Sequence, residues 1–239
     1  MNIVIPMAGE GARFRERGYS FPKPLIPIQQ KTMIQVVVEN LGLPGRYIFL
    51  CRREHLQKFA IEAMFKLFVR DFTIVEVPGL TEGAACTALL AKDLINTDEE
   101  LVIANSDQWI RWEPMRFLSY VRGEQADGAI PTFYSTHPKW SYARVDDAGR
   151  VAEVAEKVPI STHATVGIYY FREGRMFVSA AEEMIRKNVR TNNEFYVCPV
   201  YNQLIARSLK IVHYPVEEMC GLGTPEDLEA FVRQKALQL

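Results

Sequence analysis

NIVIPMAGEGARF at residues 2–14, with FPKP at 21–24, decides how the rest of the chain is read. Residues 2–7 form a short, mostly apolar run of strand length, with the glycine turn beginning at Gly9. A glycine turn behind a buried first strand lets backbone N–H groups approach phosphate oxygens closely. Two well-known phosphate loops can be tested against it. The dinucleotide fingerprint G-x-G-x-x-G fails, because Phe14 stands at its third glycine. The P-loop fails because no Lys-Ser or Lys-Thr follows at its distance. What is left is Gly9-Glu10-Gly11-Ala12-Arg13 and a separate Pro22-Lys23-Pro24. Arg13 can fork across phosphate oxygens, and Lys23 is a point charge between two prolines of fixed φ. Singly, each could be a solvated surface charge; together behind one glycine turn, they point to phosphate binding.

Outward from that strand, apolar runs alternate with helical patterns, the mark of a mostly parallel α/β sheet. Thr32 with Gln35 has the capping-box spacing ahead of an apolar helix at 33–41. Strands are expected at 46–51, 72–77 and 100–105, the last ending at Ser106-Asp107. Leu56, Phe59, Ala60, Ala63, Met64 and Leu67 recur at helical spacing, so their Met and Phe read as core. Residues 78–83 read as a turn and 84–95 as a helix. Farther on, 127–134, 141–146, 150–156 and 164–171 look like strands, with a turn at Asp147-Ala148-Gly149, and predict an antiparallel addition. Helices are expected near 175–189 and 199–208, and a late strand at 209–216. Thr224 as N-cap, Pro225 at the first position and acids after it open a last helix, an arrangement read as structural.

The bulk composition sets the class. In 239 residues, 48% are hydrophobic and 24% charged, which suits a globular enzyme and excludes a disordered chain. With 28 Lys+Arg against 29 Asp+Glu, nothing indicates a nucleic-acid or membrane partner. The amino terminus lacks a signal-peptide pattern, and no apolar stretch is long enough to span a bilayer. Cys51, Cys86, Cys198 and Cys220 are scattered, without a CxxC pair, and read as reduced thiols of a cytoplasmic protein. No linker or repeat stands out. The expectation is one domain over 1–239, with no appended acyltransferase domain and with homo-oligomerisation left open.

The glycine segment and Pro-Lys-Pro resemble the GGxGTR…PKP signature of the sugar-phosphate nucleotidyltransferases, departing at Glu10 and Ala12. Within that family the likeness is to the glucose-1-phosphate thymidylyltransferase-like members of capsule and lipopolysaccharide biosynthesis, over nearly the whole chain. The resemblance implies a Rossmann-like glycosyltransferase-A type α/β/α sandwich, whose mostly parallel mixed sheet carries a small antiparallel addition. It implies a Mg²⁺-dependent reaction of a nucleoside triphosphate with a sugar 1-phosphate, giving a nucleoside-diphosphate sugar and pyrophosphate.

Asp107 lies past the carboxyl end of a strand, where open α/β sheets place ligands. It is a candidate for Mg²⁺ or for a turn cap, and the family's metal-binding Asp falls there. By the same resemblance Gly9, Gly11 and Arg13 cradle the triphosphate, and Lys23 neutralises charge at the reacting phosphates. Residues 78–83 match the base-recognition turn, with Gly79, Glu82 and Gly83 as nucleotide-binding candidates. Glu156 and Lys157 match the pair that contacts sugar and phosphate, and Tyr142, Gly167 and Glu194 are further candidates at the sugar phosphate. The family's second metal-binding Asp is replaced by Gly221, leaving Glu218, substrate oxygens or water as the second ligand.

The four histidines (His55, His137, His163, His213) form no Ser-His-Asp or Cys-His set. The reaction needs no general base, since a phosphate monoester with a second pKa of roughly 6 is already dianionic near neutrality. If Glu82 meets the base edge, its carboxylate suits the two adjacent donors of guanine. If it caps the helix near Ala84, thymidine or cytidine triphosphate stays open. Rival readings are a phosphocholine-like acceptor caged by Trp140, Tyr142 and Tyr169, a glycosyltransferase, and a non-catalytic nucleotide sensor. The Asp107-Gln108-Trp109 sequence, in place of Asp-x-Asp, counts against the glycosyltransferase.

Overall fold

The computed structural model describes residues 1–235; residues 236–239, the end of the expected domain, lie outside the described residues. The strands of the first half are β1 (Asn2–Pro6), β2 (Pro27–Ile28), β3 (Lys31–Thr32), β4 (Arg46–Arg52), β5 (Phe72–Val77), β6 (Leu101–Ala104) and β7 (Gln108–Arg111). They are followed by β8 (Gly128–Tyr134), β9 (Ser141–Val145), β10 (Val151–Glu156), β11 (His163–Thr165), β12 (Ile168–Phe171), β13 (Ile211–Pro215) and β14 (Glu218–Gly221). The helices are α1 (Ala12–Glu16), α2 (Met33–Leu41), α3 (Arg53–Lys58), α4 (Ile61–Phe65) and α5 (Ala84–Leu89). The rest are α6 (Lys92–Ile95), α7 (Pro114–Gly123), α8 (Gly174–Arg186), α9 (Val200–Ala206) and α10 (Pro225–Lys235).

The main sheet runs β10-β9-β11-β8-β12-β6-β1-β4-β5, with β13 beside β8. Strands β6, β1, β4 and β5 are parallel; from β12 to β10 the sheet continues through antiparallel pairs. Side chains alternate across each strand, so Ile3 and Ile5 enter one apolar cluster and Val4 the other. All three are 0% exposed, and fully burying one such side chain contributes about 1.5–3 kcal/mol. Helices α2, α4, α7 and α10 feed the first cluster, and α5, α8 and α9 the second. The result is an α/β/α sandwich with a mixed sheet. Among the described residues no helix is long and apolar enough to cross a membrane.

From β1 the chain moves to β4 and β5 on one side and then returns to place β6 on the other. That reversal is a topological switch point, and it opens a crevice at the carboxyl ends of β1 and β6. Four local readings change. The loop after β1 contains α1, started by Gly11 in a left-handed conformation. The apolar pattern at 53–67 breaks into α3 and α4, and 84–95 into α5 and α6. The Gln35 N–H does donate to Thr32 Oγ1 at 3.3 Å, but the Gln35 amide turns to Glu39, so half of the capping box forms. Thr224 caps α10 as expected, accepting from the Asp227 N–H at 3.1 Å. The antiparallel ribbon of β7 and β14 was not expected from the sequence.

Candidate active site

The loops that follow β1, β5 and β6 wall a cavity of about 780 Å³, closed on its far side by β9, β10, β12 and residues 194–198. On the near side the lining includes Gly9, Gly11, Arg13, Lys23 and Gly83. Asp107, Glu156, Lys157, Gly167 and Glu194 also reach it. Gly11 is required by the close approach of this loop to Lys23. Its φ is +61°, and a Cβ there would lie 3.1 Å from Lys23 Cβ.

Lys23 begins a 3₁₀ turn that spans Lys23–Leu25, with Pro22 as its cap. From there its ammonium reaches across the crevice and donates to Asp107 Oδ2. The two side chains are 21% and 25% exposed, so the pair is shielded but open to a ligand. Arg13 stands on α1, exposed, and makes no hydrogen bond or ion pair with the described residues. Thus one cation is held by a carboxylate and the other is left unengaged.

The opposite wall is more constrained. Lys157 has a φ of +57°, the left-handed region that non-glycine residues seldom occupy. Its N–H donates to the Trp140 carbonyl at 3.1 Å. Its Nζ donates to the Tyr196 hydroxyl at 2.6 Å and sits 4.6 Å from that ring's centroid. Glu156 is 8% exposed and faces Ser141 across the β9–β10 pair, where the Ser141 hydroxyl donates to Oε2. Burial pushes the Glu156 carboxyl above its ordinary pKa, opposed by the Ser141 hydrogen bond and the Lys157 charge. Burial, followed by a hydrogen bond to Glu194, raises the Tyr196 phenol. Gly167 has φ +79°, and a Cβ there would run into the Asn105 side chain. That residue is therefore a glycine for packing reasons before any ligand is considered.

Several expected residues do not join the lining. Tyr142 is 0% exposed and donates its hydroxyl to the His137 carbonyl at 2.7 Å. Alternation along β9 turns it away from the cavity, while its neighbours Trp140 and Ser141 line the cavity instead. Glu82 points outward, ion-paired with Arg190 at 2.5 Å. It neither reaches the cavity nor caps α5, whose N-cap is Gly83, so the carboxylate argument for guanine loses its basis. Gly79 sits in open space beside the lining residues Leu80 and Thr81. Glu218 is also outside. Its carboxylate is held by Arg111 at 2.8 Å and Lys235 at 2.9 Å, on the ribbon face turned to α10. It is not a second metal ligand beside Asp107.

Ser141, Tyr196, Asp227 and the Thr81–Thr87 pair carry no functional signal in the sequence. The two threonine hydroxyls lie 2.6 Å apart beneath Gly83, whose carbonyl accepts from Thr87 Oγ1 at 3.1 Å. Asp227, a helix-end acid by its sequence position, lines the cavity and pairs with Lys139 at 3.0 Å.

A switch-point crevice with cations at the glycine loop and a carboxylate at the next strand end meets the needs of a phosphate-handling, Rossmann-like α/β protein. The comparison with known proteins gives the family. This chain belongs to the Nucleotidyl transferase family, whose model matches residues 3–231. It is 27% identical over 175 residues to the bifunctional protein GlmU of Methanocaldococcus jannaschii, covering 72% of this chain and 40% of that protein. It is 25% identical over 238 residues to the low-salt glycan biosynthesis nucleotidyltransferase Agl11 of Haloferax volcanii, covering 95% and 64%. The chain thus spans less than two thirds of the length of either relative. Among solved structures, the nucleoside-diphosphate-sugar pyrophosphorylase from Vibrio cholerae RC9 is similar, with a TM-score of 0.84 and 26% identity. That match covers 97% of this chain and 100% of the Vibrio chain.

Proposed function

We propose that this chain, working as one cytoplasmic domain, joins a nucleoside triphosphate to a sugar 1-phosphate and releases pyrophosphate, for surface polysaccharide synthesis. The observation that carries the reading is the Lys23–Asp107 pair in the same cavity as the glycine loop and the Glu156–Lys157 wall. The Vibrio relative is a nucleoside-diphosphate-sugar pyrophosphorylase and the Haloferax relative a glycan biosynthesis nucleotidyltransferase, which supports a sugar acceptor.

In this reading a phosphate oxygen of the sugar 1-phosphate attacks the α-phosphorus of the nucleotide. The bond from that phosphorus to the bridging oxygen breaks, and pyrophosphate leaves with the electron pair. Lys157 orients the attacking phosphate, and Glu156 with Ser141 holds the sugar. Arg13 and Lys23 neutralise the charge that grows on the leaving group, a role suited to preorganised cations in a shielded site. Thr81, Gly83 and Thr87 take the place of Glu82 at the base end.

The residues present fit Mg²⁺. Among the described residues no group of three or more Asp, Glu, His or Cys side chains is placed to hold a metal ion. Mg²⁺ commonly binds through one or two carboxylates, with substrate phosphates and water completing its shell, so Asp107 alone suffices. When bound it would supply charge neutralisation at the phosphates. A quaternary-ammonium acceptor is disfavoured. Trp140 and Tyr196 on the wall already carry Lys139 and Lys157 against their rings, at 4.5 and 4.6 Å.

The test is a matrix of the common nucleoside triphosphates against sugar 1-phosphates and phosphocholine, read as pyrophosphate. Release with a sugar 1-phosphate supports the proposal. Release with phosphocholine alone, or with no acceptor, defeats it.

A further inference from the structure

The two edges of the main sheet are finished differently. At one end stands β10, whose register on β9 shifts at Val151/Glu153 and which packs beside α9. There the Asn202 amide accepts from the Val154 N–H at 3.0 Å and donates to the Val154 carbonyl at 2.9 Å. A side chain thus takes the place of a next strand. Bulges and covering elements of this kind keep an edge from pairing with another chain.

At the other end stands β5, which has none of these devices. Phe72-Thr73-Ile74-Val75-Glu76-Val77 contains no Lys and no Pro, and its register on β4 runs unbroken. The Tyr47 N–H donates to the Asp71 carbonyl at 3.0 Å, which fixes the backbone groups that face β4. By alternation Thr73 and Val75 turn their N–H and C=O to β4, while Phe72, Ile74 and Glu76 turn theirs outward. Among the described residues those outward groups have no hydrogen-bond partner. The side chains from Phe72 to Val75 are all partly exposed. An unguarded edge rich in aromatic and β-branched residues is a template for one more strand.

The spacing of the outward groups selects that strand. An antiparallel partner closes its hydrogen-bonded pairs only where outward residues oppose one another. A second β5 meets this condition with Ile74 opposite Ile74 and Phe72 opposite Glu76 on either side. Every outward N–H and C=O of the three residues is then paired. The register also matches charge. Glu76, beside Arg53 in its own chain, becomes the diagonal neighbour of the second copy's Arg70. Arg70 is exposed and engages no described residue by hydrogen bond or ion pair. Diagonal neighbours lie about 7–8 Å apart, within reach of long side chains. Because the pairing uses both copies' edges, it closes at two.

We propose that β5 is an interaction surface for a second copy of this chain, pairing antiparallel across a two-fold axis at Ile74.

The test is sedimentation of the purified chain over a dilution series, with hydrogen exchange on the same samples. The parent should be a dimer at micromolar concentration. Its Phe72, Ile74 and Glu76 amides should be protected in the dimer and exchange freely on dilution, while Thr73 and Val75 stay protected at both. Ile74→Pro removes the central outward donor and leaves the ladder to β4 intact. The dimer dissociation constant should rise about thirtyfold or more, the loss of the two central hydrogen bonds. Ile74→Lys keeps the N–H but sets like charges opposite each other, and should weaken the dimer without unfolding the chain. A parent that is monomeric at every concentration would overturn the proposal. So would assemblies larger than two, a dimer whose outward amides exchange freely, or one that both variants leave unchanged. Failure of the transfer reading is judged separately, by pyrophosphate release from the parent.

Discussion

Arg13→Ala separates function from stability more cleanly than any other change in this site. The guanidinium is exposed and engages no described residue by hydrogen bond or ion pair. Its removal should change folding free energy by no more than about 0.5 kcal/mol, the ordinary range for such surface positions. For a chain of this size that is at most about 2 °C in melting temperature. Turnover should behave differently. Loss of one preorganised charge contact to the developing transition state costs about 10²–10³ in rate, or about 2.7–4 kcal/mol. The assays are pyrophosphate release at saturating substrates and a thermal melt of the same preparation. Lys23→Ala is the control. Because Lys23 is paired with the partly shielded Asp107, its loss should lower both turnover and melting temperature. Parent-like turnover in Arg13→Ala would refute the assignment of the glycine loop to the triphosphate. A melting temperature several degrees lower would refute the claim that its guanidinium is unengaged.

Asp107→Asn keeps the side-chain shape and removes the charge that a hard cation needs. Activity that depends on Mg²⁺ in the parent should nearly vanish in this variant, and equal parent turnover with excess chelator would contradict the metal role. Glu156 gives a pH test. Its folded pKa is raised by burial, so the folded state holds that proton more tightly than the unfolded state. The stability it contributes is complete below the unfolded pKa and is lost as pH rises through the folded pKa. Glu156→Gln mimics the protonated acid. Urea unfolding should show parent and variant alike near about pH 4 and the variant more stable near about pH 8, with weaker sugar-phosphate binding. A variant less stable than the parent near about pH 8 would contradict the burial argument.

What could be read from the sequence was what local pattern encodes. The run at 2–7 is mostly apolar and Gly9 follows it after one alanine, so a strand and a phosphate-type loop are legible there. Thr224-Pro225 carries its own capping chemistry, and the helix begins there. Asp107 was legible because a strand end is marked by the stop of an apolar run. What escaped depends on partners distant along the chain. The β7–β14 ribbon pairs Gln108 with Gly221, and neither four-residue segment has enough alternation to declare a strand. Ser141 meets Glu156 only through the register of β9 on β10, and the same register turns Tyr142 inward. Glu82 shows the limit of motif alignment. Gly83 reaches the cavity and Glu82 does not, because the Phe195 N–H fixes the Glu82 carbonyl at 2.7 Å and Arg190 draws the side chain outward. Lys157 in its left-handed conformation gave no sequence signal, since glycine or asparagine is the usual residue there.

Transfer of a nucleotidyl group to a sugar phosphate is tested most directly by product balance. The purified protein is incubated with Mg²⁺, a nucleoside triphosphate and the sugar 1-phosphate that gives the most pyrophosphate, and all phosphorus species are followed by ³¹P NMR. Pyrophosphate and a nucleoside-diphosphate sugar should appear in equal amounts, and added pyrophosphate should drive the mixture back to triphosphate. Release of inorganic phosphate with nucleoside diphosphate, or nucleotide that binds and stays intact with every sugar phosphate, would contradict it.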